Sequence, residues 1–232
     1  MKLMLRTLAA MMGYPSGELR AHVAELRAVV EDEKALGPHV RRRLGVLLDR
    51  LEREETIDAQ ATYTDLFDRS RALSLHLFEH VHGDNRERGQ AMLDLAEQYM
   101  QAGLLLESQE LPDYIPVFLE YASCLPPAEA RETLAQPAHV FAALEQRLRE
   151  RDSDYAAVFA AILTLSGARP DHDAIDQLQK NAPSDDPARI DEEWEEKEVT
   201  FTGAHEMGGP TGIVARLRAK GKAMTAARGT KG

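Results

Sequence analysis

Apolar residues recur at three- and four-residue spacing along most of the first 178 positions of this 232-residue chain, which predicts a succession of amphipathic helices. Leu5, Leu8, Ala9 and Met12 make a first short stripe, ended by Gly13, Tyr14 and Pro15. Ser16 is placed to cap a second helix that turns Leu19, Val23, Leu26 and Val30 inward and stops near Gly37 and Pro38. A third carries Val40, Leu44, Leu47, Leu48 and Leu51 on one side, with Arg41, Arg42, Arg43, Arg50 and Arg53 largely on the solvent side.

The pattern then predicts one helix from Tyr63 to Gly83, capped by Thr56 or Asp58, with Leu66, Phe67, Leu73, Leu77 and Val81 on a stripe that includes the small Ser70 and Ser74. Its opposite face holds Asp65, Asp68, Arg69, Arg71, His76, Glu79 and His80. Asp84 with Glu87 reads as a capping box for a following helix (Met92, Leu95, Ala96, Tyr99) that Gly103 ends, so the two form a tight hairpin. After a connector from Leu104 to Leu111, Asp113 is a natural N-cap because it leaves Pro116 in the first turn. Tyr114, Val117, Phe118, Tyr121, Ala122 and Leu125 then give the strongest amphipathic stripe in the chain. Pro126 and Pro127 start a short helix to about Gln136, and Val140, Phe141, Leu144 and Leu148 mark the next. The segment from Tyr155 to Ser166, apolar almost all round and ended by Gly167, is the expected buried helix.

No stretch alternates with period two, so the expected class is all-α: one compact multi-helix bundle over residues 1–178. Residues 179–232 shift to Pro, Ser, Asp and Gly and read as a disordered tail. An acidic block from Asp191 to Glu198 surrounds the sole Trp194, and beyond Met207 there are only basic charges, Arg216, Arg218, Lys220, Lys222, Arg228 and Lys231. The two blocks can pair loosely with each other, or Trp194, Val199 and Phe201 can form a linear docking motif.

Charge and cysteine usage narrow the function. A net charge of -11 excludes nucleic acid as the expected partner and suits a basic peptide instead. The single cysteine, Cys124, rules out an intramolecular disulfide and any paired-cysteine metal or redox site, and its place at the end of an apolar helix suggests inert packing. Arg6 interrupts what would be a leader's apolar region, and no apolar run approaches membrane-spanning length, so a cytoplasmic protein without membrane insertion is expected.

One motif carries chemistry. His76, Glu79 and His80 spell H-x-x-E-H, in which two imidazoles one turn apart can share a zinc ion and the carboxylate can act as general base. A zinc-dependent hydrolase is therefore the alternative reading, although a third ligand is not singled out. There is no glycine-rich phosphate loop and no nucleophile elbow.

The run LSLHLFEHVHGDNRERGQAMLDLAEQY from Leu73 to Tyr99, preceded by YTDLFDRSR and followed by ELPDYIPVFLEYAS from Glu110 to Ser123, resembles the delta-subunit family of respiratory nitrate reductase assembly chaperones. The likeness extends from the opening LRTLAAMMGYP to the late DEEWEEKEVTF. It implies a non-enzymatic chaperone that carries no cofactor of its own. Such a protein binds the apo form of the nitrate reductase alpha subunit, including its N-terminal tail, a remnant of a twin-arginine signal. It thereby supports insertion of the molybdenum cofactor into that client. In this family the histidines of the LHLFEHVHG run are part of the signature without being known zinc ligands. The wider superfamily carries a Glu-x-Pro-Asp-His stretch near its peptide site; Glu110, Pro112 and Asp113 match it, and Tyr114 stands in place of His.

Together these readings place a client-peptide groove between the central helix and the Tyr114 to Leu125 helix. The first would supply Tyr63, Leu66, Phe67, Leu73 and Leu77, and the second side Glu110, Pro112, Asp113, Tyr114 and Phe118. Asp113 can serve as a helix cap, as a binding charge for a basic client residue, or both.

Overall fold

The computed structural model describes residues 1–82, 87–106 and 110–180. Among them the helices are α1 (Lys2–Met11), α2 (Gly17–Ala21), α3 (Val23–Asp32), α4 (Pro38–Arg53), α5 (Thr56–Tyr63) and α6 (Leu77–His82). They continue as α7 (Glu87–Gln101), α8 (Ile115–Cys124), α9 (Pro127–Ala135), α10 (Ala138–Glu150), α11 (Ala156–Ser166) and α12 (His172–Lys180). The described residues hold no strand, only one isolated antiparallel bridge, between His76 and Tyr114, so the all-α class stands. No helix among them is long and apolar enough to cross a membrane.

Helix α11 is the axis of the bundle, in contact with α1, α4, α9 and α10. Its Val158, Phe159 and Ile162 are fully enclosed, and the small Ala156, Ala157 and Ala161 let neighbouring helices approach closely. Gly167 ends it in the left-handed region at φ 65°. Helix α1 lies antiparallel along α8: Arg6 Nε donates to Ser123 Oγ at one end, and at the other the Met12 carbonyl accepts from Tyr63, which neighbours Tyr114. Helix α12, absent from the sequence-based expectation, packs on α10.

Several local expectations are corrected. The predicted second helix is two, broken at His22 (φ -105°, ψ 8°), whose Nδ1 donates to the Glu18 carbonyl; Ser16 Oγ does cap the first of them through the Leu19 N–H at 3.1 Å. Neither Thr56 nor Asp58 caps α5: Glu55 stands at the N-cap without a side-chain bond, and the Thr56 hydroxyl accepts from Arg20 instead. The expected stop at Gly83 and the Asp84 cap fall outside the described residues, as does the tail beyond Lys180 with Trp194 and the basic end.

The largest correction concerns the stretch from Tyr63 to Gly83, which is not one helix. After α5 the chain widens into a π turn (Thr64–Asp68), extends at Ser70, makes a short 3-10 turn (Arg71–Leu73) and regains α-helix only at Leu77. The cause is the number of directions in which it must bury apolar groups. Leu75 is as buried as Leu73 and Leu77, yet a single helix would have turned it onto the polar face. Breaking the helix lets all of them reach the core, and the released backbone groups find partners across the chain.

Candidate functional site

Those partners are Asp113 and its neighbours. The Ile115 N–H donates to the Leu75 carbonyl at 2.8 Å and the Leu77 N–H to the Asp113 carbonyl at 3.0 Å, which forms the bridge between the two segments. Asp113, with no exposed surface, accepts from the Phe78 N–H at 3.1 Å through Oδ2 and faces His76 Nδ1 at 3.2 Å through Oδ1. Arg88 of α7 approaches the same Oδ2 at 3.8 Å and pairs with Glu79 at 3.3 Å. Asp113 is thus a cap, but of α6 rather than of α8. Helix α8 begins at Ile115 behind Tyr114, which makes no side-chain cap bond, with Pro116 in the first turn as expected. Sequence spacing could not show this, because the capped helix is 35 residues away from the cap.

Around the bridge, buried tyrosines fix the chain by their hydroxyls. Tyr99 donates to the Pro112 carbonyl at 2.7 Å, and its own hydroxyl is pushed well up by complete burial, with the nearby Tyr121 and Asp113 adding to the rise. Tyr63 donates to the Met12 carbonyl at 2.9 Å. Its oxygen can then only accept from Tyr114, 3.2 Å away. Burial raises the Tyr63 hydroxyl far above its ordinary range.

Above this buried layer lies a small exposed surface. The Tyr114 ring packs against the His76 imidazole with centroids 5.4 Å apart, and Tyr14, half exposed, stands edge-on over Tyr63 at 5.5 Å. Leu111, 47% exposed, and Glu110 continue it. Burial raises the Tyr114 hydroxyl, its bond to Tyr63 opposes that rise, and the charges of Asp68 and Glu110 add to it. Glu120 is likewise raised, first by burial and then by repulsion from Glu110. Arg6 offsets part of the Glu120 charge, whereas Asp68 and Glu110 are in no ion pair within 4 Å among the described residues, so the aromatic patch is edged by negative charge. Such a patch can take a basic segment with apolar side chains.

The site residues expected from sequence divide by depth. Tyr63, Leu66, Phe67, Leu73, Leu77, Pro112, Asp113 and Phe118 are brought together but lie in the core, whereas Tyr114 is partly exposed and Glu110 is open to solvent. Between Leu75–Leu77 and Asp113–Ile115 the backbones are hydrogen-bonded directly, so the two segments touch there instead of leaving a groove. Sequence reasoning missed Tyr14 as a surface group; an aromatic held in a Gly-Tyr-Pro turn was the available signal. Cys124 is exposed rather than packed.

The H-x-x-E-H residues serve structure. His80 Nε2 donates to the Ser74 carbonyl at 2.8 Å, which leaves that nitrogen no lone pair for a metal, His76 faces Asp113, and Glu79 pairs with Arg88. Among the described residues no three histidine, cysteine or acidic side chains are grouped to hold a metal ion. Burial lowers the His80 pKa below its ordinary value. The geometry gives the hydrolase alternative no support.

A family model described as nitrate reductase delta subunit matches residues 17–161. The chain is 44% identical over 189 residues, covering 81% of it and 80% of the relative, to the nitrate reductase molybdenum cofactor assembly chaperone NarJ of Escherichia coli strain K12. It is 41% identical over 175 residues, 74% of each chain, to that organism's probable nitrate reductase molybdenum cofactor assembly chaperone NarW. A third relative, the probable chaperone NarJ of Bacillus subtilis strain 168, is 29% identical over 159 residues, 67% of this chain and 84% of that one.

Proposed function

We propose, from the premise that this chain belongs to the nitrate reductase delta subunit family, that it binds the apo catalytic subunit of a nitrate reductase through that subunit's N-terminal tail and supports molybdenum cofactor insertion. The family is one of assembly chaperones and not of enzymes. The observation that carries the client reading is the partly exposed patch of Tyr14, His76 and Tyr114, edged by Asp68 and Glu110, neither of which is in an ion pair within 4 Å among the described residues. A tail with basic and apolar side chains supplies what this patch lacks.

The mechanism that follows is equilibrium binding. Phenol hydroxyls and aromatic faces hold the apolar part of the segment, and the carboxylates hold its cations. The rigid backing of Tyr63, Asp113 and Tyr99 keeps the surface in one conformation, so little ordering is lost on binding. The holding energy is modest: exposed ion pairs contribute roughly 0.2–1 kcal/mol each, which suits a partner that must later be released.

The test is calorimetric titration of the full chain with a synthetic peptide of the catalytic subunit's N-terminal tail, at low and high salt. The expected result is binding that weakens with salt. It should weaken further, by a few-fold per charge, in Asp68→Asn and Glu110→Gln. Affinity unchanged in both variants would remove the client from this patch.

A further inference from the structure

Helix α12 is tied through Arg147 to the segment that leads into the candidate site. Arg147 of α10, largely buried, donates from Nη1 to the Ala72 carbonyl and from Nη2 to the Leu178 carbonyl, both at 2.6 Å, and from Nε to Gln179 at 3.0 Å. One guanidinium therefore ties the last turn of α12 to the loop that, four residues on, reaches His76 and the bridge to Tyr114.

The chain beyond Lys180 has an unusual end. From Met207 onward it contains Arg216, Arg218, Lys220, Lys222, Arg228 and Lys231, with Ile213, Val214 and Leu217 among the first of them, and no acidic residue. The rest of the protein must then be strongly acidic, since the whole carries a net charge of -11. Asp68 and Glu110, in no ion pair within 4 Å among the described residues, and Glu120, partly offset by Arg6, offer the complement in charge, and Tyr14, Tyr114 and Leu111 the complement in apolar surface. Distance is no obstacle: about 27 residues, the span from Lys180 to Met207, would have an r.m.s. reach of roughly 26–31 Å as a random chain. Tethering at that length holds a weak ligand at about millimolar effective concentration.

We infer that the basic segment beyond Met207 docks on the Tyr14–Tyr114 surface of its own chain, so that an incoming basic client segment must displace it. The inference rests on the reading of that surface as one that takes a basic segment. Its consequence is selectivity: a peptide too weak to outcompete the tethered segment gains no access, whereas a client with more extensive contacts does.

Two measurements on the full chain test it. Carbodiimide treatment joins lysines to carboxylates in direct contact, and mass spectrometry should place Lys220 or Lys222 on Asp68, Glu110 or Glu120, with those products lost in the Asp68→Asn, Glu110→Gln, Glu120→Gln variant. Products confined to the acidic block from Asp191 to Glu198, or scattered over the surface, overturn the inference. In the second, the variant Arg216→Gln, Arg218→Gln, Lys220→Gln, Lys222→Gln should bind the catalytic-subunit peptide roughly three- to tenfold more tightly than wild type, as expected for removal of a tethered competitor held by weak exposed pairs. Equal or weaker binding overturns it while leaving the client site in place. Cross-links on the patch in a protein that binds no client peptide would support the tail contact and remove the client reading.

Discussion

Helix α11 and the stretch from Thr64 to His76 bury apolar side chains with similar thoroughness, yet one is an unbroken helix and the other changes backbone form at almost every turn. In α11 the apolar residues surround the helix, helices pack on it from several sides, and every interior backbone group is satisfied within the helix. From Thr64 to His76 the burial directions exceed what a single stripe can serve, and backbone groups released by the breaks must find partners elsewhere. Asp113, Arg147 and the Tyr114 backbone segment provide them. The first region is therefore stabilised by shape and apolar area. The second depends on a few buried polar groups, and the exposed patch sits on top of it.

This contrast can be broken at its strongest point by cutting into α11. Phe159→Ala removes a fully buried ring and should cost about 3–5 kcal/mol, read as a fall in the denaturant midpoint. A cost under about 1 kcal/mol would mean that α11 is not the packing axis. Next in size, Arg147→Met should cost roughly 2–4 kcal/mol, because it leaves the buried Ala72 carbonyl and the Leu178 carbonyl without donors. Arg147→Lys should recover little, since an ammonium cannot span both in the fixed geometry of a guanidinium.

Asp113→Asn sharpens the comparison from the polar side. If the side chain only capped a helix, Asn would do equally well. Here one oxygen takes the Phe78 N–H while the other faces His76 Nδ1, with Arg88 near, so loss of the charge should cost roughly 1.5–3 kcal/mol in thermal or denaturant unfolding. A neutral outcome would reduce Asp113 to a cap.

A smaller effect is expected from pH. Burial lowers the folded-state pKa of His80 below its ordinary value of 6.5, with the nearby Arg147 charge acting in the same direction. The unfolded chain therefore takes up the proton first, and stability falls as pH drops below about 6.5 toward the folded-state value. His80→Gln should flatten that part of the stability profile; an unchanged profile would assign the acid sensitivity to other groups. Smallest of all, Tyr114→Phe deletes only a partly buried hydroxyl whose bond to Tyr63 is long, and should shift stability by less than about 0.5 kcal/mol. It separates surface from support, because peptide affinity should still weaken.

Much of this protein was determined by sequence alone. Helical periodicity with Gly and Pro stops is a local property, so the all-α class, the buried helix ending at Gly167, the stripe from Tyr114 to Leu125 and the Ser16 cap were all legible. The family was legible too, since its motifs lie in continuous runs. Within the candidate site, the turn from Glu110 to Tyr114 could be singled out, but which of its residues face solvent could not. The tertiary structure decided that Asp113 caps a helix it does not begin, that His76 and His80 hold backbone and carboxylate instead of metal, and that Tyr14 joins Tyr114 at the surface. It also decided that the central stretch breaks. The physical reason is common to all of these: a side chain's pattern along the chain records how often it must be buried, whereas the direction of burial and the partner of each freed backbone group are set only when distant segments meet.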